Sequence, residues 1–198
     1  MFNEIKNIAV IGISHKTSTI TQREKFQLDR IKIRNALCFL KSVPEIEGVV
    51  IVSTCNRLEL YFSLNHKADL FTIIMNFYFE EKIIDKTENR NLFYEYTGIE
   101  AVMHLFRVTS GMDSMLLGEY QVQGQVKYAY SIACSEKTTD KILHKLFHAA
   151  FRVGKSIRNK TKIGSGNQSL SGIAFSIIKE KLISKDAITI IGVNQNTK

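Results

Sequence analysis

The sequence predicts an α+β fold: a small antiparallel or mixed four-stranded sheet with covering helices, followed by a helical bundle. Three observations lead there. Four short runs, at 7–13, 48–53, 57–64 and 92–97, have the length and residue types of strands. Helical periodicity separates them in the order strand, helix, strand, strand, helix, strand, which suits a sheet covered by helices on one face. From Thr97 onward the pattern is nearly all helical, before a last helix (168–183) and strand (187–192).

"NIAVIGI" (7–13) reads as a buried strand, and "TQREKFQLDRIKIRNALCFL" (21–40) as one amphipathic helix closed by Pro44. "GVVIVS" (48–53) is the second strand. In "RLELYFSL" the residues Leu58, Leu60, Phe62 and Leu64 alternate, the period of a half-buried third strand. Residues 67–83 read as helix and "LFYEYT" (92–97) as the fourth strand. "TGIE" offers a capping box with Thr97 as N-cap and Glu100 three residues on. Helices follow around 119–134 and 139–159, and "KIGSGNQSL" (162–170) is the best linker.

The 198 residues are 44% hydrophobic and 23% charged, ordinary for a soluble globular chain. No apolar run is long enough to span a membrane. The N-terminus lacks the long apolar core of a signal peptide, so the expected location is cytoplasmic. Cys38, Cys55 and Cys134 are odd in number and widely spaced, which excludes a disulfide framework and a C-x-x-C metal site. Cys38 is expected in a helix core and Cys134 near a helix end. His144 and His148 stand four apart with no third ligand at motif spacing, so no metal is expected.

A net charge of +8 suggests a polyanionic partner. The charge is uneven, with no Asp or Glu between Lys141 and Lys179. At about 100° per residue, Lys141, Lys145, His148, Arg152, Lys155 and Asn159 share one arc of the 139–159 helix. That stripe suits phosphate contacts; it also reads as a solvated face.

"STCNRLELY" puts a cysteine at a strand-to-strand turn. Asn56 tolerates left-handed backbone, and Arg57 supplies a positive charge that favours thiolate and a fork for a carboxylate. Cys55 is either a nucleophile or a structural thiol. "GMDSMLLGEYQVQGQ" (111–125) places Ser114, Gly118, Gln121 and Gln125 on one face if helical, or forms a loop feeding a helix, and Glu119 adds an acid to this polar strip, which also reads as a solvated face. His104 lies off the stripe of Val102, Leu105 and Phe106, which suits either a site or a structural hydrogen bond.

"GISHKTS" (12–18), "STCNRLELY" (53–61), "HLFRVTSGMDSMLLGEYQVQGQVK" (104–127) and "FRVGKSIRNKT" (151–161) together resemble the signature segments of the glutamyl-tRNA reductases, in the family's order. The resemblance implies that Cys55 attacks the ester of glutamyl-tRNA to form a thioester, which NADPH reduces to glutamate-1-semialdehyde for tetrapyrrole (heme) synthesis. Thr54, Arg57, His104, Ser114, Glu119, Gln121 and Gln125 would then bind the glutamyl group, and Lys141, Lys145, Arg152, Lys155 and Arg158 the tRNA. It also implies a catalytic domain over 1–161, with 162–198 a linker and a helix–strand stub of a Rossmann-like domain. Gly192 matches the first glycine of a cofactor turn, with Asn194 and Thr197 where the next two would stand. Hence no NADPH is expected on this chain itself. The family's homodimer and its partner, glutamate-1-semialdehyde aminomutase, belong to the full-length enzyme; this chain is expected to be a monomer. The sequence departs from the family at Thr17-Ser18-Thr19, where a proline is usual. A non-catalytic tRNA-binding module is the rival reading.

Overall fold

A computed structural model describes residues 5–80, 89–119, 121–164 and 177–179. Strands β1 (Ile8–Ser14), β2 (Ile46–Thr54), β3 (Arg57–Leu64) and β4 (Tyr94–Thr97) form one sheet in the order β2-β3-β1-β4, antiparallel throughout. Helices α1 (Ile20–Phe26), α2 (Arg30–Lys41) and α3 (Leu70–Glu80) belong to the sheet half. Helices α4 (Ile99–Ser110), α5 (Gln121–Ser135) and α6 (Lys141–Lys160) make up the bundle. The α+β class and the four strands are as the sequence predicts.

The helix expected over 21–40 is two helices. Asp29 breaks it: its side chain accepts from the amides of Ile31 and Lys32, both at 2.9 Å, and so starts α2 afresh while Gln27 turns extended. Thr97 is not a helix cap. It is held in the ladder opposite Ala9, and the cap position falls to Gly98, whose amide donates to the Ile8 carbonyl at 2.7 Å.

The sheet is covered on both faces, where one was expected. Every residue of β3 from Arg57 to Ser63 is buried. Leu58, Leu60 and Phe62 share a face with Ala9, Ile11 and Ile13, their cross-strand partners or neighbours, and α1 and α2 pack on this half of the molecule. Arg57, Glu59 and Tyr61 point the other way. There Tyr61 meets Phe147 of α6 edge-on at 5.6 Å and Glu59 meets His104 of α4 at 2.8 Å. The alternation that signals a half-buried strand is real. Its polar half is buried because its charges neutralise one another.

Two contacts set the direction of α6. Thr138, just before it, pairs with Val49 in β2 through both its carbonyl (2.8 Å) and its hydroxyl (3.0 Å). Arg158, near its end, donates to the carbonyl of Thr109 at 2.7 Å, at the end of α4. The helix therefore runs along the sheet toward the end where β2 turns into β3. No helix among the described residues is long and apolar enough to cross a membrane. The predicted last helix over 168–183, the strand over 187–192, and Gly192, Asn194 and Thr197 lie outside the described residues, apart from a helical stretch at 177–179.

Candidate active site

Cys55 and Asn56 are the turn between β2 and β3, and Cys55 is exposed. The turn is tied at several points. The Thr54 hydroxyl accepts from the amides of Asn56 and Arg57, each at 3.2 Å. The amide of His15 donates to the Asn56 carbonyl at 3.0 Å. Arg23 of α1, 7% exposed, donates through Nε to the Cys55 carbonyl at 3.3 Å and through Nη1 to Ser18 O at 2.6 Å. A small cavity of about 70 Å³ beside the thiol is lined by Ile20, Arg23, Gln27, Thr54, Arg57 and Leu58. Such bonding fixes where the sulfur stands while leaving it open to a reactant.

Arg57 corrects its sequence expectation. It is not a free fork on the surface but 2% exposed, with its donors already engaged. Nη1 meets Glu59 Oε1 at 2.6 Å and Asp113 Oδ2 at 3.1 Å, and Nη2 donates to the Asp113 carbonyl. Glu59 is wholly buried and also accepts from the hydroxyls of Tyr61 and Tyr94 and from His104 Nε2. Burial works to raise the Glu59 carboxyl, but the Arg57 charge and the bonds from His104 and Tyr61 outweigh it and hold the group well below the usual carboxylate range. Asp113 is shifted down for the same kind of reason: burial raises it, and Lys16, which bonds it directly, and Arg57 lower it further. Burial and the Glu59 charge push Tyr61 and Tyr94 up, so both remain neutral donors.

His104 is structural on one side and open on the other. Its ring packs against Tyr94 and Tyr96, with centroids at 5.3 and 5.1 Å, and it also lines a cavity of about 250 Å³ with Tyr96, Ile99, Glu100, Met103 and Arg107. The 111–119 segment is a loop, not the start of a helix. Gly111 and Gly118, both at φ 82°, are drawn together by a 2.9 Å bond from the Gly118 amide to the Gly111 carbonyl. This closes the loop and sets Ser114 beside Asp113, its buried hydroxyl without a hydrogen-bond partner. Glu119 is half-buried, and Gln121 and Gln125 lie one turn apart at the start of α5. Among the described residues, no hydrogen bond ties these three to the thiol turn.

The stripe is on one side of α6: Lys141, Lys145, His148, Arg152, Lys155 and Asn159 are all exposed, while Leu143, Leu146, Phe147, Ala150 and Gly154 are buried. Arg158 departs from it, being half-buried and bonded to Thr109. His144 Nδ1 and His148 Nε2 meet the hydroxyl of Tyr130 at 2.6 and 3.1 Å, and no group of three side chains among the described residues could hold a metal. Cys38, expected in the core, is exposed: α2 turns Ala36, Leu37 and Leu40 inward instead.

Sequence reasoning missed Glu59, Asp113, Arg23 and His15. An acid two residues from an arginine in an otherwise apolar strand was the available signal for Glu59. Asp113 and Arg23 reach the turn only through the fold.

Comparison with known proteins gives the family. Residues 11–161 match the family described as glutamyl-tRNAGlu reductase, N-terminal domain. The glutamyl-tRNA reductase of Pelotomaculum thermopropionicum is 37% identical over 190 residues, 95% of this chain and 43% of that protein. That of Microcystis aeruginosa is also 37% identical, over 97% of this chain and 45% of its own length. A solved glutamyl-tRNA reductase from Methanopyrus kandleri superposes with a TM-score of 0.70 at 29% identity, covering 89% of this chain and 40% of that one. This chain thus spans less than half the length of the relatives it matches, and it belongs to the glutamyl-tRNA reductase N-terminal-domain family.

Proposed function

We propose that this chain takes the glutamyl group of glutamyl-tRNA onto Cys55, as the acyl-accepting part of a reductase serving tetrapyrrole synthesis. The observation that carries the reading is an exposed thiol on a turn anchored by Thr54, Arg23 and His15 and backed by the buried Arg57–Glu59–Asp113 cluster. A thiolate is the nucleophilic form of cysteine, and a positioned one makes an ester-to-thioester exchange effectively unimolecular. The sulfur attacks the ester carbonyl carbon, a C–S bond forms, the bond from that carbon to the ribose oxygen breaks, and the ribose oxygen gains a proton.

The glutamyl group brings a side-chain carboxylate and a free α-amine. Arg57 serves the first by holding Asp113, and through it Lys16, in place at the mouth of the site, where the exposed Lys16 ammonium presents its remaining N–H groups to an anion. The orphaned Ser114 hydroxyl supplies a hydrogen bond beside them. Glu119, Gln121 and Gln125 serve the amine. The face of α6 carrying Lys141, Lys145, Arg152 and Lys155 runs toward the thiol end of the sheet and takes tRNA phosphates, which position without specifying. NADPH would supply the hydride that reduces the thioester. The residues resembling its turn lie outside the described ones, and no step is derived through it.

The test is to mix the chain with glutamyl-tRNA carrying labelled glutamate, quench in acid and map the label by mass spectrometry. Label on Cys55 that disappears in Cys55→Ala is expected. Salt-dependent tRNA binding with no label on any cysteine contradicts the reading and leaves a tRNA-binding module.

A further inference from the structure

Acylation of Cys55 needs a group that takes the thiol proton and returns it to the leaving ribose oxygen. His15 stands at the turn itself. β1 and β3 pair Ser14 with Arg57, and the next step of the ladder is the 3.0 Å bond from the His15 amide to the carbonyl of Asn56, the residue after Cys55. That bond ties the His15 backbone to the thiol turn, one residue from Cys55. His15 Nδ1 is buried and has no hydrogen-bond partner, unlike the ring nitrogen of His104 that meets Glu59. A buried, unpaired ring nitrogen costs stability, so its retention points to a partner that arrives with the reaction.

We propose that His15 is the acid–base residue of the thiol turn; this rests on the reading that Cys55 is acylated. Neutral His15 accepts the proton from the Cys55 thiol as sulfur bonds to the carbonyl carbon. The resulting imidazolium gives that proton to the ribose oxygen as the ester C–O bond breaks. The proton passes from thiol to tRNA hydroxyl, and His15 returns to its starting state with no other reactant needed. Charge around the ring favours the neutral base. Burial, then Arg57 from β3, lower the His15 pKa below its ordinary 6.5; Asp113 from the loop after α4 opposes this, and Lys16 and Arg23 of α1 add to it.

The experiment is single-turnover transfer of glutamate from glutamyl-tRNA to Cys55 as a function of pH, for the chain and for His15→Gln. The expected wild-type rate falls on an acid limb with its midpoint below pH 6.5. His15→Gln should be slower by about 10²–10⁴-fold, the usual range for general acid–base catalysis, and lose that limb. In His15→Ala, added imidazole should restore part of the rate without changing the urea midpoint. A wild-type profile with no acid limb overturns the proposal even if the variants misfold, and so does His15→Gln acylating at the wild-type rate. Absence of any Cys55 adduct in the wild-type chain instead overturns the function on which it rests.

Discussion

The two faces of β3 are equally buried and do opposite things. Leu58, Leu60 and Phe62, all at most 3% exposed, join the apolar core on the side of α1 and α2. Arg57 and Glu59, equally hidden, are charged, and they bond to Tyr61, Tyr94, His104 and Asp113 across three different elements. An apolar face holds through area removed from water and tolerates small rearrangements. A charged one holds only if every partner is in place, since an orphaned buried charge is costly. The difference suggests a division of labour: one face holds the sheet together, and the other fixes the turn that carries Cys55.

The comparison is broken most severely by removing one charge. Glu59→Ala leaves Arg57 buried without its nearest partner and should lower unfolding stability by about 3–5 kcal/mol. Leu60→Ala, directly beside it on the apolar face, should cost about 2–5 kcal/mol through the cavity it leaves. Urea unfolding of the two variants gives both values, and a much smaller loss for Glu59→Ala would show that Arg57 relaxes onto Asp113 alone.

The pH dependence sharpens the contrast. Glu59 titrates lower in the folded chain than its ordinary 4.5, so the stability it adds is complete above that value and is lost as pH falls below it. Asp113, shifted down from 3.8, adds to the same loss at lower pH. The urea midpoint should therefore decline below about pH 4.5, beyond any loss that His15 brings as pH falls below 6.5, and Glu59→Gln should flatten that decline. No change of slope in Glu59→Gln would mean that the charge of Glu59 is not held by the fold.

The smallest effect is expected at the rim. Lys16 reaches the cluster through Asp113 but has a side chain 56% exposed, so Lys16→Met should cost less than about 1 kcal/mol. Its consequence should be seen in glutamyl transfer rather than in unfolding.

Much of this was legible from local pattern. The strand positions, the helical second half and the basic stripe of α6 follow from period and composition, and Cys55 stands out by its polar turn. What was hidden depended on distance in space. Arg57 looked like a free fork because its partners are two residues away on the buried side and 56 residues away in the loop. Asp29 ended a helix whose apolar period continued through it, since its cap bonds compete locally with the helix. Cys38 fell within an apolar run, yet α2 buries Ala36, Leu37 and Leu40 instead. His15 belongs to a signature segment, and only the ladder between β1 and β3 brings it to Asn56.

The most direct test compares Arg57→Lys with Leu60→Ala in glutamyl transfer to Cys55, with each rate divided by the fraction folded. Lysine keeps the charge but cannot bridge Glu59 and Asp113 as a planar fork. The loss of one charge-assisted bond, about 1.5–3 kcal/mol, corresponds to a slowing of roughly ten- to a hundredfold. Leu60→Ala should transfer at the wild-type rate per folded molecule. If Arg57→Lys transfers as fast as wild type, or Leu60→Ala slows as much as Arg57→Lys, the charged face of β3 does not serve the thiol turn.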